Sequence, residues 1–196
     1  MFTEDLNFLT VNTDALGLTE EEFFNFCQQN KNLRMERDKE QNIIFMSPLG
    51  TLSGYFESLL NKFVSNWNEH SKFGYVFSSS TGFTLPNGAI RSPDVAWIKK
   101  EQWEKIPMAD KKKFAHLCPD FIIELRSESD SLKTLKNKMQ EWIENGCRLG
   151  WLIDFENKNV FIYRPDKPVD FINSFNKKNS GEDVLPGFEL DLSQLK

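Results

Sequence analysis

The chain is short of soft metal ligands. Its 196 residues hold three cysteines, Cys27, Cys118 and Cys147, and two histidines, His70 and His116. The cysteines are odd in number and far apart. They match neither a disulfide framework nor a zinc site, and read as buried thiols in a reducing compartment. The histidines lack ligand spacing and read as structural or surface residues. No apolar run approaches the length of a membrane-spanning helix. The N-terminus, "MFTEDLNFLTVNTDALGLTEEEFF", is acidic and has no basic segment ahead of an apolar one, so it is not a signal peptide. These absences predict a soluble, cytoplasmic protein with no membrane partner. A surplus of positive charge is also missing. The net charge of −5 argues against a broadly basic nucleic-acid coat, yet leaves room for a local groove. There is no internal repeat, low-complexity tract or linker long enough to divide the chain.

What is present suits one domain over residues 1–196, with a helix-and-hairpin extension over about 1–45. Eighteen phenylalanines favour a strand-rich core. "LTEEEFFNFCQQN" predicts a helix with Thr19 and Glu22 as a capping box. "NLRMERDKEQNIIFMSP" predicts a hairpin with a charged turn. In "GTLSGYFESLLNKFVSNWNEHSK" apolar residues recur at helical spacing from Leu52 to Trp67. "LPNGA" marks a turn between extended runs. Residues 99–117 are polar and lysine-rich and read as a short helix and loop. A second long helix follows in "SDSLKTLKNKMQEWIENG", with Ser129, Asp130 or Ser131 as its cap and Gly146 at its end. "LGWLIDFENKNVFIYRP" predicts a final hairpin, and the tail through "LPGFELDLSQLK" packs back onto the domain. Helices interleaved with strands imply an α/β or α+β fold with a mixed sheet.

The chemistry centres on "PDFIIELRS". In a strand, alternate side chains share a face. Phe121, Ile123 and Leu125 point one way, and Asp120, Ile122, Glu124 and Arg126 the other. A buried carboxylate is costly unless paired, hydrogen-bonded or metal-bound. Asp94, in "SPDVAWI", stands at the mouth of another apolar strand. If the two strands are neighbours, Asp94 and Glu124 converge, and paired carboxylates at a cleft suit Mg²⁺ with waters completing the shell. The alternative is a Glu124–Arg126 ion pair on a solvated face. On the helix that follows, Leu132, Leu135, Met139, Trp142 and Ile143 form an apolar stripe, with Lys136 and Lys138 at its edges. An edge lysine either reaches back toward the preceding strand or snorkels to solvent.

"RSPDVAWI" followed by "CPDFIIELRSESDSLKTLKNKMQEWIENGCRLGWLIDFENKNVFIYRP" resembles the Uma-two family of putative restriction endonucleases, within the PD-(D/E)XK nuclease superfamily. The resemblance runs from about Met46 to the "LPGF" segment. It implies a restriction-endonuclease-like mixed β-sheet flanked by helices, with the active site at one sheet edge. It assigns metal binding to Asp94 and Glu124, with the backbone carbonyl of Leu125 as a further ligand. The superfamily's lysine position, two residues after the Glu, holds Arg126. The family's lysine from the following helix matches Lys138, four residues before Trp142. Arg126 then becomes a secondary phosphate contact, because its charge is permanent.

The implied activity is Mg²⁺- or Mn²⁺-dependent endonucleolytic hydrolysis of DNA phosphodiester bonds, by a homodimer if two strands are cut. Glu57, on the first long helix, stands where many superfamily members carry an extra acidic residue. The lysine-rich segment is a candidate for touching the DNA backbone. One alternative is a catalytically degenerate member that binds nucleic acid or a protein partner without cleavage. Another is an unrelated hydrolase that uses paired carboxylates as acid and base.

Overall fold

A computed structural model describes residues 8–13, 16–128 and 130–195. β1 (Phe8–Val11) precedes α1 (Glu20–Gln29). The Thr19 hydroxyl accepts the Glu22 N–H at 3.2 Å, and the Glu22 carboxylate accepts the Thr19 N–H at 2.8 Å. That is the reciprocal cap expected from sequence. β2 (Arg34–Arg37) and β3 (Ile43–Met46) form the charged-turn hairpin, with Arg34 opposite Met46. α2 (Thr51–Ser71) buries Leu60 and Val64 completely and ends at Lys72 in the left-handed region.

Four strands follow: β4 (Gly74–Ser78), β5 (Phe83–Thr84), β6 (Ile90–Arg91) and β7 (Val95–Lys99). The short helices α3 (Lys100–Lys105) and α4 (Met108–Lys111) lead to β8 (Ala115–His116) and β9 (Phe121–Arg126). α5 (Leu132–Glu144) crosses to β10 (Leu149–Asp154), which turns into β11 (Asn159–Tyr163) and then β12 (Asp170–Ile172). β13 (Lys178–Ser180) pairs with β14 (Glu189–Asp191) near the C-terminus.

Among the described residues the strands form two six-stranded sheets and one two-stranded ribbon, rather than a single shared sheet. The main sheet has the order β12-β11-β10-β9-β7-β4, and the second β1-β3-β2-β6-β5-β8. The N-terminal hairpin joins the second sheet through Arg37 opposite Ile90, so the segment expected as an extension is continuous with later strands. β9 and β10 are parallel, which requires a crossover, and α5 supplies it.

Alternation along β9 sorts its side chains into two layers. Phe121 and Ile123 pack with Leu60, Val64 and Trp151, and the tail residues Leu185, Phe188 and Leu190 close that layer. Ile122 packs with Leu135, Met139 and Trp142 of α5. Glu124 shares the Ile122 face and is thereby aimed at α5. Among the described residues no helix is long and apolar enough to cross a membrane.

The α5 cap is Ser131, whose hydroxyl accepts the Thr134 N–H at 3.3 Å. Asp130 takes the Ser127 N–H at 2.8 Å, which makes it a loop acceptor rather than the cap. The remaining cap candidate, Ser129, lies outside the described residues.

Candidate active site

β7 runs antiparallel to β9, with Val95 opposite Ile123 and Ala96 opposite Ile122. One further step of this register sets Asp94 across from Glu124. Facing residues of an antiparallel pair project to the same side. Asp94 Oδ2 accepts the Leu125 N–H at 2.7 Å, which ties the Asp94 carboxylate to the residue after Glu124. Both strands are interior to the main sheet. The carboxylates therefore meet at strand ends, not along the sheet edge that was expected.

Glu124 is 3% exposed and pairs with α5. Its Oε1 accepts from Trp142 Nε1 at 2.9 Å. Lys138 Nζ stands 2.9 Å from Oε1 and 3.2 Å from Oε2. Lys138 and Trp142 are four residues apart and so share a helix face. The apolar stripe of α5 seats that face on the sheet. Lys136, at the other edge, lies over the Phe161 ring and takes no part.

The alternative Glu124–Arg126 pair does not form. Arg126 donates from Nη1 to Asp154 Oδ2 at 2.7 Å and from Nε to the Asp130 carbonyl at 3.1 Å. Asp154 faces Arg126 across the parallel strands β9 and β10, and also accepts from Asn157 in the turn beyond. Register, rather than nearness along the chain, chose the partner.

Three further residues belong to the same cluster and escape a reading of the local sequence. Glu36, on β2, is 3% exposed. Its Oε1 accepts from Lys138 Nζ and from the Ser92 N–H, each at 2.9 Å, and its Oε2 from Arg91 Nη1 at 3.1 Å. Arg91 Nε in turn donates to Glu141 Oε2 of α5 at 2.7 Å. The one available signal was a charged residue inside a four-residue strand, "RMER", the same oddity that marked Glu124.

Burial, followed by the charge of Glu124, pushes the Asp94 carboxyl up to about 8. Burial also raises Glu124, against the opposing pull of Lys138. Burial works to raise Glu36 as well, but the charges of Lys138 and Arg91, with the hydrogen bonds from Ser92 and Lys138, together hold it below its ordinary value. Lys138 is buried too, but Glu124 and Glu36 hold its ammonium charged.

Four carboxylates, of Asp94, Glu124, Glu36 and Glu141, thus face two cations, Lys138 and Arg91. A divalent cation beside Asp94 and Glu124 fits this surplus of negative charge. Among the described residues no three His, Cys, Asp or Glu side chains gather as a metal cluster. An ion here would rest on two carboxylates, with carbonyl and water oxygens completing its shell, which suits Mg²⁺ more than a soft metal.

A groove of about 1210 Å³ opens over the cluster. Ile44, Met46 and Leu49 line it from the hairpin side, Lys138 and Glu141 from α5, and Asp94 and Glu124 from the main sheet. Glu57 is not a lining residue. It accepts from the Ser79 hydroxyl, and only its charge acts on Asp94. The lysine-rich segment lies beyond the far end of β7 and lines no part of the groove. Its Lys113 pairs with Glu21 at 2.9 Å, and its Lys111 sits over the Trp103 ring.

Residues 20–193 match a protein family, Uma2, described as "Putative restriction endonuclease". A crystal structure described as a putative nuclease belonging to DUF820, from Anabaena variabilis ATCC 29413, superposes with a TM-score of 0.70. It shares 19% sequence identity, and the alignment covers 91% of this chain and 97% of that one. At that identity the likeness speaks to fold. No curated protein matches the chain.

Proposed function

Given that the chain belongs to the Uma2 family of putative restriction endonucleases, we propose that it is a metal-dependent endonuclease that hydrolyses DNA phosphodiester bonds. One observation carries the reading. Asp94 and Glu124, from separate strands, face one another at the base of a groove, and Lys138 reaches Glu124 from the following helix.

Asp94 and Glu124 would hold Mg²⁺ or Mn²⁺, with the Leu125 carbonyl as a further ligand. When bound, such an ion lowers the pKa of a water and polarises the phosphodiester. The Leu125 N–H fixes Asp94 Oδ2 and leaves Oδ1 for the ion. The Trp142 indole fixes Glu124 Oε1 in the same way. Glu36 and Glu124 hold the Lys138 ammonium in place, and from there it would stabilise charge developing on the attacking water or on a phosphate oxygen.

Arg126 serves this site by fixing the end of β10 through Asp154, and its expected phosphate contact gives way to that role. Cutting both strands of a duplex would call for two copies of the chain.

A second reading keeps the fold and binds DNA without cutting it. The pairing of both Lys138 and Arg91 with carboxylates favours it, since neither cation is left wholly for phosphate.

Calorimetric titration of Mn²⁺ into the wild type, Asp94→Ala and Glu124→Ala is the test. Binding by the wild type alone, with cleavage of plasmid DNA that Lys138→Ala slows by about a hundredfold or more, supports the nuclease. Metal binding without cleavage moves the assignment to the second reading. No binding by the wild type, even with DNA present, removes the metal site and the nuclease with it.

A further inference from the structure

On the nuclease reading above, we propose that Glu36 is a positioning residue of this site. It holds Lys138 and the Asp94 loop to one another, so that the N-terminal hairpin forms part of the active site.

The Glu36 carboxylate uses both oxygens and is buried. Its three donors come from three places. Lys138 lies on α5, Arg91 on β6, and the Ser92 N–H on the connection to β7. Ser92 is two residues before Asp94, and Pro93 between them has a fixed φ. Holding the Ser92 amide therefore limits where Asp94 can point. Lys138 is a point charge on a flexible stem, so its acceptors decide where the ammonium rests. Glu124 holds Nζ across both of its oxygens, and Glu36 Oε1 is a further acceptor at 2.9 Å. Glu36 draws it to a place between two carboxylates. Arg91 is braced from its other side by Glu141, which keeps Glu36 from following Lys138. A fold-stabilising ion pair needs one cation, whereas Glu36 engages two cations and a backbone amide at 3.1 Å or less.

Glu36→Gln keeps the size and an acceptor for Ser92 but removes the charge that holds Lys138. Two measurements test the proposal, one of them independent of activity. The first is cleavage of a DNA duplex with Mg²⁺ by Glu36→Gln, Lys138→Met and the double variant. Glu36→Gln is expected to lower kcat about tenfold or more while KM stays within about twofold. In the Lys138→Met background it is expected to lower kcat by less than about twofold, because its effect runs through Lys138. Losses that multiply would overturn the proposal.

The second is amide hydrogen exchange of the metal-free protein. The Leu125 amide, which reports on Asp94, is expected to exchange at least about tenfold faster in Glu36→Gln, with the β10 and β11 amides unchanged. Uniform acceleration, or none at Leu125, makes Glu36 an ordinary stabiliser and overturns the proposal. A wild type that cleaves no DNA counts against the nuclease reading alone, and exchange then decides the role of Glu36.

Discussion

The indole of Trp142 donates to Glu124 Oε1 at 2.9 Å within the core. This bond, with Lys138, is why a carboxylate can stand in a strand otherwise built of phenylalanine, isoleucine and leucine.

Trp142→Phe keeps a ring in the core and deletes the donor. It is expected to cost about 1–3 kcal/mol, since a buried acceptor loses a partner. Urea unfolding measures that cost. Mn²⁺ affinity should fall as well, because Glu124 is then oriented by Lys138 alone. An unchanged affinity would mean that the indole supports only the core.

The raised Asp94 makes stability depend on pH. Its carboxyl keeps a proton up to about 8 in the metal-free fold, against an ordinary 3.8. Between those values the folded chain binds more protons than the unfolded one, so stability falls as pH rises through this window. Asp94→Asn removes the effect and keeps an oxygen for the Leu125 N–H. It should exceed the wild type at pH 8 by at least about 1 kcal/mol, the worth of one pKa unit, and by little at pH 4. Urea midpoints in the presence of a chelator decide this, and parallel curves would refute it. Glu36 works in the opposite sense. Its depressed carboxyl contributes stability above its ordinary 4.5, which is lost as pH falls below that value.

Two glycines separate rigid neighbours from yielding ones. A Cβ on Gly74 would fall on the Ile98 carbonyl oxygen and the buried Trp97 ring. Gly74→Ala is expected to cost about 2 kcal/mol or more through overpacking. At Gly150 the obstacle is the Met139 methyl at 2.6 Å, the end of a flexible side chain. Gly150→Ala should cost less than about 1 kcal/mol, as Met139 adapts. Equal losses in thermal or urea unfolding would contradict the distinction.

Arg126→Ala tests whether this guanidinium is structural. Asp154 is 1% exposed and loses its cationic partner in the variant. A loss of about 2 kcal/mol is expected, below that of a wholly buried pair because Arg126 keeps some exposure. The salt dependence of DNA binding should keep its slope, since no phosphate contact is removed. A shallower slope would return Arg126 to the phosphates.

The periodic parts of the chain were legible. The α1 capping box, the α5 stripe, the "LPNGA" turn and the hairpins all follow from local chemistry. So did the meeting of Asp94 with Glu124, on the condition that their strands are neighbours, which β7 and β9 are. Other features were not legible. β5, β6 and β8 are two residues each, too short for any alternation to show, so their union with the N-terminal hairpin in a second sheet was not visible. Arg126 stands two residues from Glu124, and only strand register selects Asp154 instead. Glu36 meets Lys138 across 102 positions of sequence, a distance over which no spacing rule operates. For the lysines of residues 99–113, sequence left DNA contact and a solvated insertion both open, because composition carries charge but not direction.

That separation of 102 positions also sets an order of assembly. The hairpin leaves the ribosome long before α5 does. Until then the Glu36 carboxylate lacks Lys138, although β6 and its Arg91 have already emerged. A chain stalled or clipped ahead of α5 keeps many of its strands, yet it has neither the lysine nor the indole that orient Glu124. Completion of the Glu124 pairing is thereby deferred to late synthesis.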